Sequence, residues 1–175
     1  ARTLGEVDIL ADDERAHLLF DVNQTATEFA GADCIHELFD AQAVRTPDAL
    51  AVVSGPDHLT YRELNVRANQ LSHLLRRRGV KPNVAVGLAI GHSVEMIVGL
   101  LGIVKAGGAY VPLNPEHPPA RLARPLEDSH APMVVPTSAA VAALPGFSGE
   151  IVDLERARAR LEAEPQGAAP PRPSA

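Results

Sequence analysis

Between Val84 and Leu113 the chain runs as apolar stretch, short turn, apolar helix and apolar stretch, a pattern that few folds accommodate. Val84 to Ile90 reads V-A-V-G-L-A-I, without the polar alternation of a strand that has one wet face. Such a run suits a strand covered on both sides. Gly91-His92-Ser93 turns the chain, and Ser93 is a suitable N-cap for a helix from Val94 to about Ala106. Met96, Ile97, Val98, Leu100, Leu101, Ile103 and Val104 make that helix apolar almost all round, which predicts its burial. Gly99 and Gly102 would cost roughly 1 kcal/mol each against Ala in its interior, and so predict close backbone packing. Lys105 stands in the last turn, where a cation is expected to face the terminal carbonyls. Ala106 completes the helix, and Gly107 and Gly108 permit a sharp exit into a strand from Ala109 to Leu113. In that strand, which includes Pro112, Tyr110 is expected to lend its ring to the core with its hydroxyl at an edge.

The preceding elements read from local chemistry. D-I-L-A-D-D-E-R-A-H-L-L-F predicts a short helix with Asp12, Asp13 and Glu14 near its positive end. The polar stretch after it predicts an extended connector, so residues 1–32 form a linker. Ile35, Leu38, Phe39 and Ala43 share one face of a helix to Arg45, with Asp33 as N-cap and Thr46-Pro47 as its end. Ala49 to Ser54 and His58 to Thr60 make a hairpin about Gly55-Pro56-Asp57. Next comes the best-specified helix. Thr60 and Glu63 have capping-box spacing, with Leu59 and Leu64 as hydrophobic staple and Tyr61 in the first turn. Arg76, Arg77 and Arg78 are expected to oppose the negative end of its dipole, and Gly79 to stop it.

Downstream, Ala120 to Asp128 predicts a helix, Pro132 to Val135 a strand, Ser138 to Ala143 a helical turn or two, Glu150 to Leu154 a strand and Glu155 to Glu164 a charged surface helix. The segment 165–175 is Pro/Ala-rich and predicted to remain disordered. The alternation of strand and helix implies an α/β fold with a mostly parallel sheet and flanking helices across residues 33–164.

Composition narrows the possible partners. The net charge of −6 argues against nucleic acid. The longest apolar run, Met96 to Val104, is about half of a membrane span. Cys34 is the single cysteine, which excludes an intrachain disulfide and fits a reducing, cytoplasmic compartment. Seven histidines at 17, 36, 58, 73, 92, 117 and 130 lack metal-ligand spacing, so no metal site is expected. His73 and His92 read as ordinary surface or turn residues. The Ser93 turn has the strand–turn–helix context of a hydrolase nucleophile elbow, but Glu95 stands where that motif needs Gly. No phosphate-binding G-x-G-x-x-G or Walker pattern occurs.

Three motifs carry a family resemblance. I-H-E-L-F-D-A-Q-A-V-R-T-P-D-A-L-A-V-V (Ile35 to Val53), L-T-Y-R-E-L-N from Leu59 and I-V-K-A-G-G-A-Y-V-P-L-N-P (Ile103 to Pro115) resemble the opening segment and first two core motifs of a nonribosomal peptide synthetase adenylation domain, within the adenylate-forming, AMP-binding superfamily. R-L-A-R-P-L-E-D-S, Arg121 to Ser129, is similar to the helix that follows. Residues 1–32 resemble the linker from a condensation domain. His92 replaces the family's usual Arg and Asn114 its usual Asp. The resemblance implies an N-terminal subdomain fragment whose parent converts an amino acid and Mg·ATP to an aminoacyl adenylate, then loads a carrier-protein phosphopantetheine. It implies partners in an upstream condensation domain, the remainder of the adenylation domain and a carrier protein. The family's phosphate loop, pocket and ribose aspartates and lid lysine have no counterpart in these residues, so no catalytic, cofactor-binding or metal residue is expected. Thr60, Tyr61, Glu63, Leu64, Lys105, Ala106, Gly107, Gly108, Tyr110 and Pro112 are then structural motif residues. A non-catalytic docking piece and a small hydrolase using Ser93 are the alternatives.

Overall fold

A computed structural model describes residues 10–27, 34–144 and 146–169. The chain forms two compact units, 1–32 and 33–175. In the first, α1 (Asp12–Ala16) runs into a π-helical turn, His17–Asp21. Leu18, Leu19, Phe20 and Val22 there are exposed.

The second unit is built on a sheet of four parallel strands in the order β4-β3-β5-β6. These are β3 (Ala85–Ala89), β4 (Ala109–Pro112), β5 (Met133–Pro136) and β6 (Glu150–Ile151). β1 (Leu50–Ser54) and β2 (Asp57–Thr60) form a separate antiparallel hairpin. The helices are α2 (Ile35–Arg45), α3 (Tyr61–Arg77), α4 (Val94–Ala106), α5 (Pro119–Asp128), α6 (Ser138–Val141) and α7 (Arg158–Glu162). Val86, Leu88, Ile90, Met133 and Val135 pack with the apolar faces of α3 and α4. Ala89 and Val134 pack on the other side with Leu122 and Leu126 of α5 and Ala140 of α6. Apolar runs in β3 and β5 therefore have one cause, burial on both faces.

Glycine permits the tightest layer. A Cβ on Gly99 would lie 2.6 Å from Leu88 Cδ1, and one on Gly102 would lie 2.5 Å from Leu71 Cδ2. α4 thus rests against β3 through one glycine and against α3 through the other. Gly79 and Gly107, at φ +95° and +92°, end α3 and α4 in the left-handed conformation.

The capping box of α3 forms as its spacing predicts. Thr60 Oγ1 accepts from Glu63 N–H at 3.2 Å, and a Glu63 carboxylate oxygen accepts from Thr60 N–H at 2.8 Å. The Thr60 N–H and the Thr60 hydroxyl, the latter at 2.9 Å, both donate to that carboxylate and hold the Glu63 carboxyl below its ordinary value of 4.5. Their contribution to stability is full above 4.5 and is lost as pH falls through the lowered folded value. Thr60→Ala should lower stability by about 1 kcal/mol. Glu63→Gln should narrow the gap to wild type as the pH drops below 4.5, read from urea midpoints. A gap constant down to strongly acid pH would mean that the carboxylate does not carry the cap.

Several expectations are corrected. The proposed cap Asp33 lies outside the described residues; Cys34 holds the N-cap position of α2 without a side-chain hydrogen bond. β6 is shorter than expected, although Val152 N–H and Leu154 N–H still donate to Val134 O and Pro136 O beside it; Asp153 then accepts from Glu155 N–H and Arg156 N–H. α7 covers only part of the expected surface helix, and Glu164 is buried. At the start of the expected disordered tail, Gln166 O and Gly167 O are bound by Asn69 and His73 of α3, while residues 170–175 of it lie outside the described residues. His73 is therefore more than an ordinary surface residue. The three arginines reach beyond their own helix end. Arg76 Nη2 donates to Lys105 O at 2.9 Å, while Arg77 pairs with Glu164 and Arg78 with Glu150.

Candidate functional site

Three segments that lie far apart in sequence meet at one side chain. Lys105, in the last turn of α4, is 6% exposed. Its ammonium donates to Asp40 of α2, to Asn65 Oδ1 at 2.7 Å and to Asn69 Oδ1 at 2.9 Å, both on α3. All three donors are thereby used. The nitrogen also lies 5.5 Å from the centre of the Phe39 ring, which packs 5.8 Å from the ring of Tyr61. Burial pushes the Lys105 ammonium below its ordinary value of 10.5, and Asp40 opposes that shift. The arrangement clamps α2, α3 and α4 together. A charged group held this way with every donor engaged is poorly suited to proton transfer.

This corrects the expectation for Lys105. Its side chain turns away from the terminal carbonyls of α4, because Arg76, Gly107 N–H and Gly108 N–H already occupy that end. Gly108 N–H donates to Ile103 O at 3.0 Å and Gly107 N–H to Val104 O at 2.9 Å. Leu64 and Ala106 are buried beside the clamp, and Gly108 allows Val80 and Val84 O close to the backbone. Tyr110 and Pro112 lie apart from it on β4. Tyr110 is 43% exposed, contrary to expectation, since β4 is an edge strand of the described sheet and receives no second neighbour there. One signal could have exposed the clamp: Asn65 and Asn69 are spaced i, i+4 within a helix, where Asn is disfavoured unless a polar partner is at hand.

The crevice where such sheets bind ligands lies between β3 and β5, whose chains leave in opposite directions. There Ser93 Oγ accepts from Met96 N–H at 3.3 Å and donates to Gly91 O at 3.1 Å, the bonds of a helix cap. Ser138 Oγ donates to Asp153. A separate cleft of about 550 Å³ has Leu59, Val66, Val98 and Leu161 in its walls, with the Arg67–Glu95 ion pair at 3.1 Å beside them. Among the described residues no three of His, Cys, Asp and Glu converge as metal ligands, and no helix is long and apolar enough to cross a membrane.

Known proteins share this sequence and fold. The AMP-binding enzyme family matches residues 39–173. Tyrocidine synthase 3 of Brevibacillus parabrevis is 43% identical over 153 residues, covering 87% of this chain and 2% of that protein. Bacitracin synthase 3 of Bacillus licheniformis is 48% identical over 128 residues, covering 73% of this chain and 2% of that protein. The chain therefore spans only 2% of the length of these two curated relatives. The nonribosomal peptide synthetase FmoA3 superposes with a TM-score of 0.79 at 32% identity, covering 95% of this chain and 18% of that chain. The N-terminal subdomain of Klebsiella oxytoca NpsA superposes at 0.70 with 23% identity, covering 84% of this chain and 37% of that chain, which shows the fold alone. Sequence, sheet order and matched family agree: the chain belongs to the AMP-binding enzyme family, where its relatives are the adenylation modules of nonribosomal peptide synthetases.

Proposed function

We propose that residues 33–164 are the first part of the N-terminal subdomain of an amino-acid-activating adenylation domain, supplying scaffold rather than reacting groups. The observation that carries this reading is the Lys105 clamp, which joins the family-like opening segment to both core motifs through a fully engaged ammonium. FmoA3, 33% identical over 90% of this chain and 18% of that one, has been crystallised with alpha-methyl-L-serine-AMP bound. The parent of this chain would form an aminoacyl adenylate from an amino acid and Mg·ATP and pass the acyl group to a carrier-protein phosphopantetheine. The Ser93 and Ser138 hydroxyls are committed to a backbone carbonyl and to Asp153, which supports a reading in which Mg·ATP is held by the remainder of the domain.

Residues 1–32 serve as a connector from an upstream condensation domain, a reading supported by the exposed Leu18, Leu19 and Phe20 beside the π-helical turn. The downstream partners are the rest of the adenylation domain and the carrier protein, in a cytoplasmic assembly. Pyrophosphate exchange tests the central reading: the 175-residue chain is expected to give no amino-acid-dependent exchange with any proteinogenic amino acid. Exchange above the no-enzyme rate, abolished by a Ser93→Ala or Lys105→Ala change, would overturn it.

A further inference from the structure

The C-terminal described segment lies along α3, on side chains that continue from the Lys105 clamp. Asn69 Nδ2 donates to Gln166 O at 2.8 Å, Gln70 Nε2 to Glu162 O at 3.5 Å and His73 Nε2 to Gly167 O at 3.0 Å. Arg77 pairs with the Glu164 carboxylate, whose side chain is 2% exposed. Asn69, His73 and Arg77 are four residues apart and so form one stripe along the helix. Three of these four contacts grip backbone carbonyls, so they hold the segment's path with little regard to its sequence.

Asn69 belongs to both systems. Its oxygen accepts from Lys105 Nζ, which also holds Asp40 of α2, and its nitrogen donates to Gln166 O. Lys105 can only donate and a carbonyl can only accept, so the two partners demand the same orientation of the Asn69 amide. Loss of either partner removes half of what fixes that orientation.

We propose that residues 162–167 form a strap whose docking on α3 is coupled, through Asn69 and Lys105, to the docking of α2. The first helix of the subdomain and the strand-free segment leading out of it thus stabilise one another across α3. Such linkage is reciprocal: whatever loosens one end loosens the other by the same factor. The inference concerns a mechanical property of the unit and stands whether or not the adenylation reading holds.

Amide hydrogen exchange on this chain tests it, comparing peptides that span α2 with peptides that span 158–169. Leu161 N–H and Glu164 N–H, bonded to Ala157 O and Leu161 O, are protected reporters in the strap region. Asp40→Asn removes the charge that Lys105 meets on α2 and keeps the shape. It is expected to raise exchange in 158–169 by at least about fivefold, alongside the rise in α2. His73→Ala releases the strap from the opposite end and is expected to raise exchange in α2 as well. Arg62→Ala, which breaks the exposed Arg62–Asp48 pair, should change neither segment. The two responses should also be less than multiplicative in the double variant. If each variant loosens only the segment it touches, the proposal is overturned. His73 lies outside the buried cluster, so its variant decides the matter by itself should Asp40→Asn lower stability throughout.

Discussion

Lys105→Ala is expected to lower the unfolding free energy by about 3 kcal/mol, the lower end of the range for removing one partner of a buried ion pair. The lower end applies because the Asp40 side chain is 32% exposed and recovers part of its hydration when its partner is lost. Asn65 and Asn69 lose their donor at the same time, and the lysine stem leaves a void under Phe39. Lys105→Met keeps the stem's packing, so its loss should be smaller. The pH dependence separates charge from packing. Burial holds Lys105 below 10.5 in the folded chain, so the unfolded chain binds more protons as pH approaches that value. Wild type therefore gains stability over this window, and Lys105→Met does not. The gap between them in urea unfolding should widen from neutral pH to about 10.5. A gap that closes instead would show that attraction to Asp40 outweighs the loss of hydration.

Leu71→Ala should cost about 2–5 kcal/mol, since Leu71 is fully buried and cannot be replaced by relaxation of a loop. Its more informative use is with Gly102. In wild type a Cβ at residue 102 meets Leu71 Cδ2, Cγ and Cβ at 2.5, 2.7 and 2.9 Å. Contact along the whole side chain forces α3 and α4 apart, so Gly102→Ala should destabilise by about 1–3 kcal/mol before its helix propensity is counted. In the Leu71→Ala background the Cδ2 and Cγ contacts are gone and only the Cβ contact at 2.9 Å remains, so the same change should cost less than in wild type, with helix propensity offsetting up to about 1 kcal/mol. The relief between the two backgrounds is the test. Gly99→Ala should be milder, because the Cβ there meets only the far end of Leu88 within 3.0 Å. If Gly102→Ala is destabilising by the same amount in both backgrounds, the close approach of the helices is not what keeps glycine there.

Wherever the cause of a structure is local, it can be read in the residues. The capping box of Thr60 and Glu63 involves neighbours three apart, and it forms as the spacing predicts. The unbroken apolarity of β3 reports burial on both faces, which it has, whereas α4 is buried along Val98, Leu101 and Ile103 but only half-buried at Met96, Ile97, Leu100 and Val104. Left-handed glycines end α3 and α4 where Gly79 and Gly107 stand. The candidate clamp is harder to see. Lys105 at a helix C-terminus has a sufficient local explanation, and nothing near it in sequence names Asp40 as its partner. Tyr110 departs from expectation because strand order, which puts β4 at an edge, depends on the paths of the crossovers.

From its sequence, this protein is determined to have an α/β unit with parallel strands, the capped helices α3 and α4 and the motifs of its family, because periodicity, capping and turn chemistry act over a few residues. Only the tertiary structure decided where Lys105 points, that Asn69 serves two partners and that Gln166 and Gly167 are bound along α3. Those contacts join groups far apart in the chain, and two of the strap's acceptors, Gln166 O and Gly167 O, are backbone carbonyls. Every residue carries such a carbonyl, so no residue type announces it.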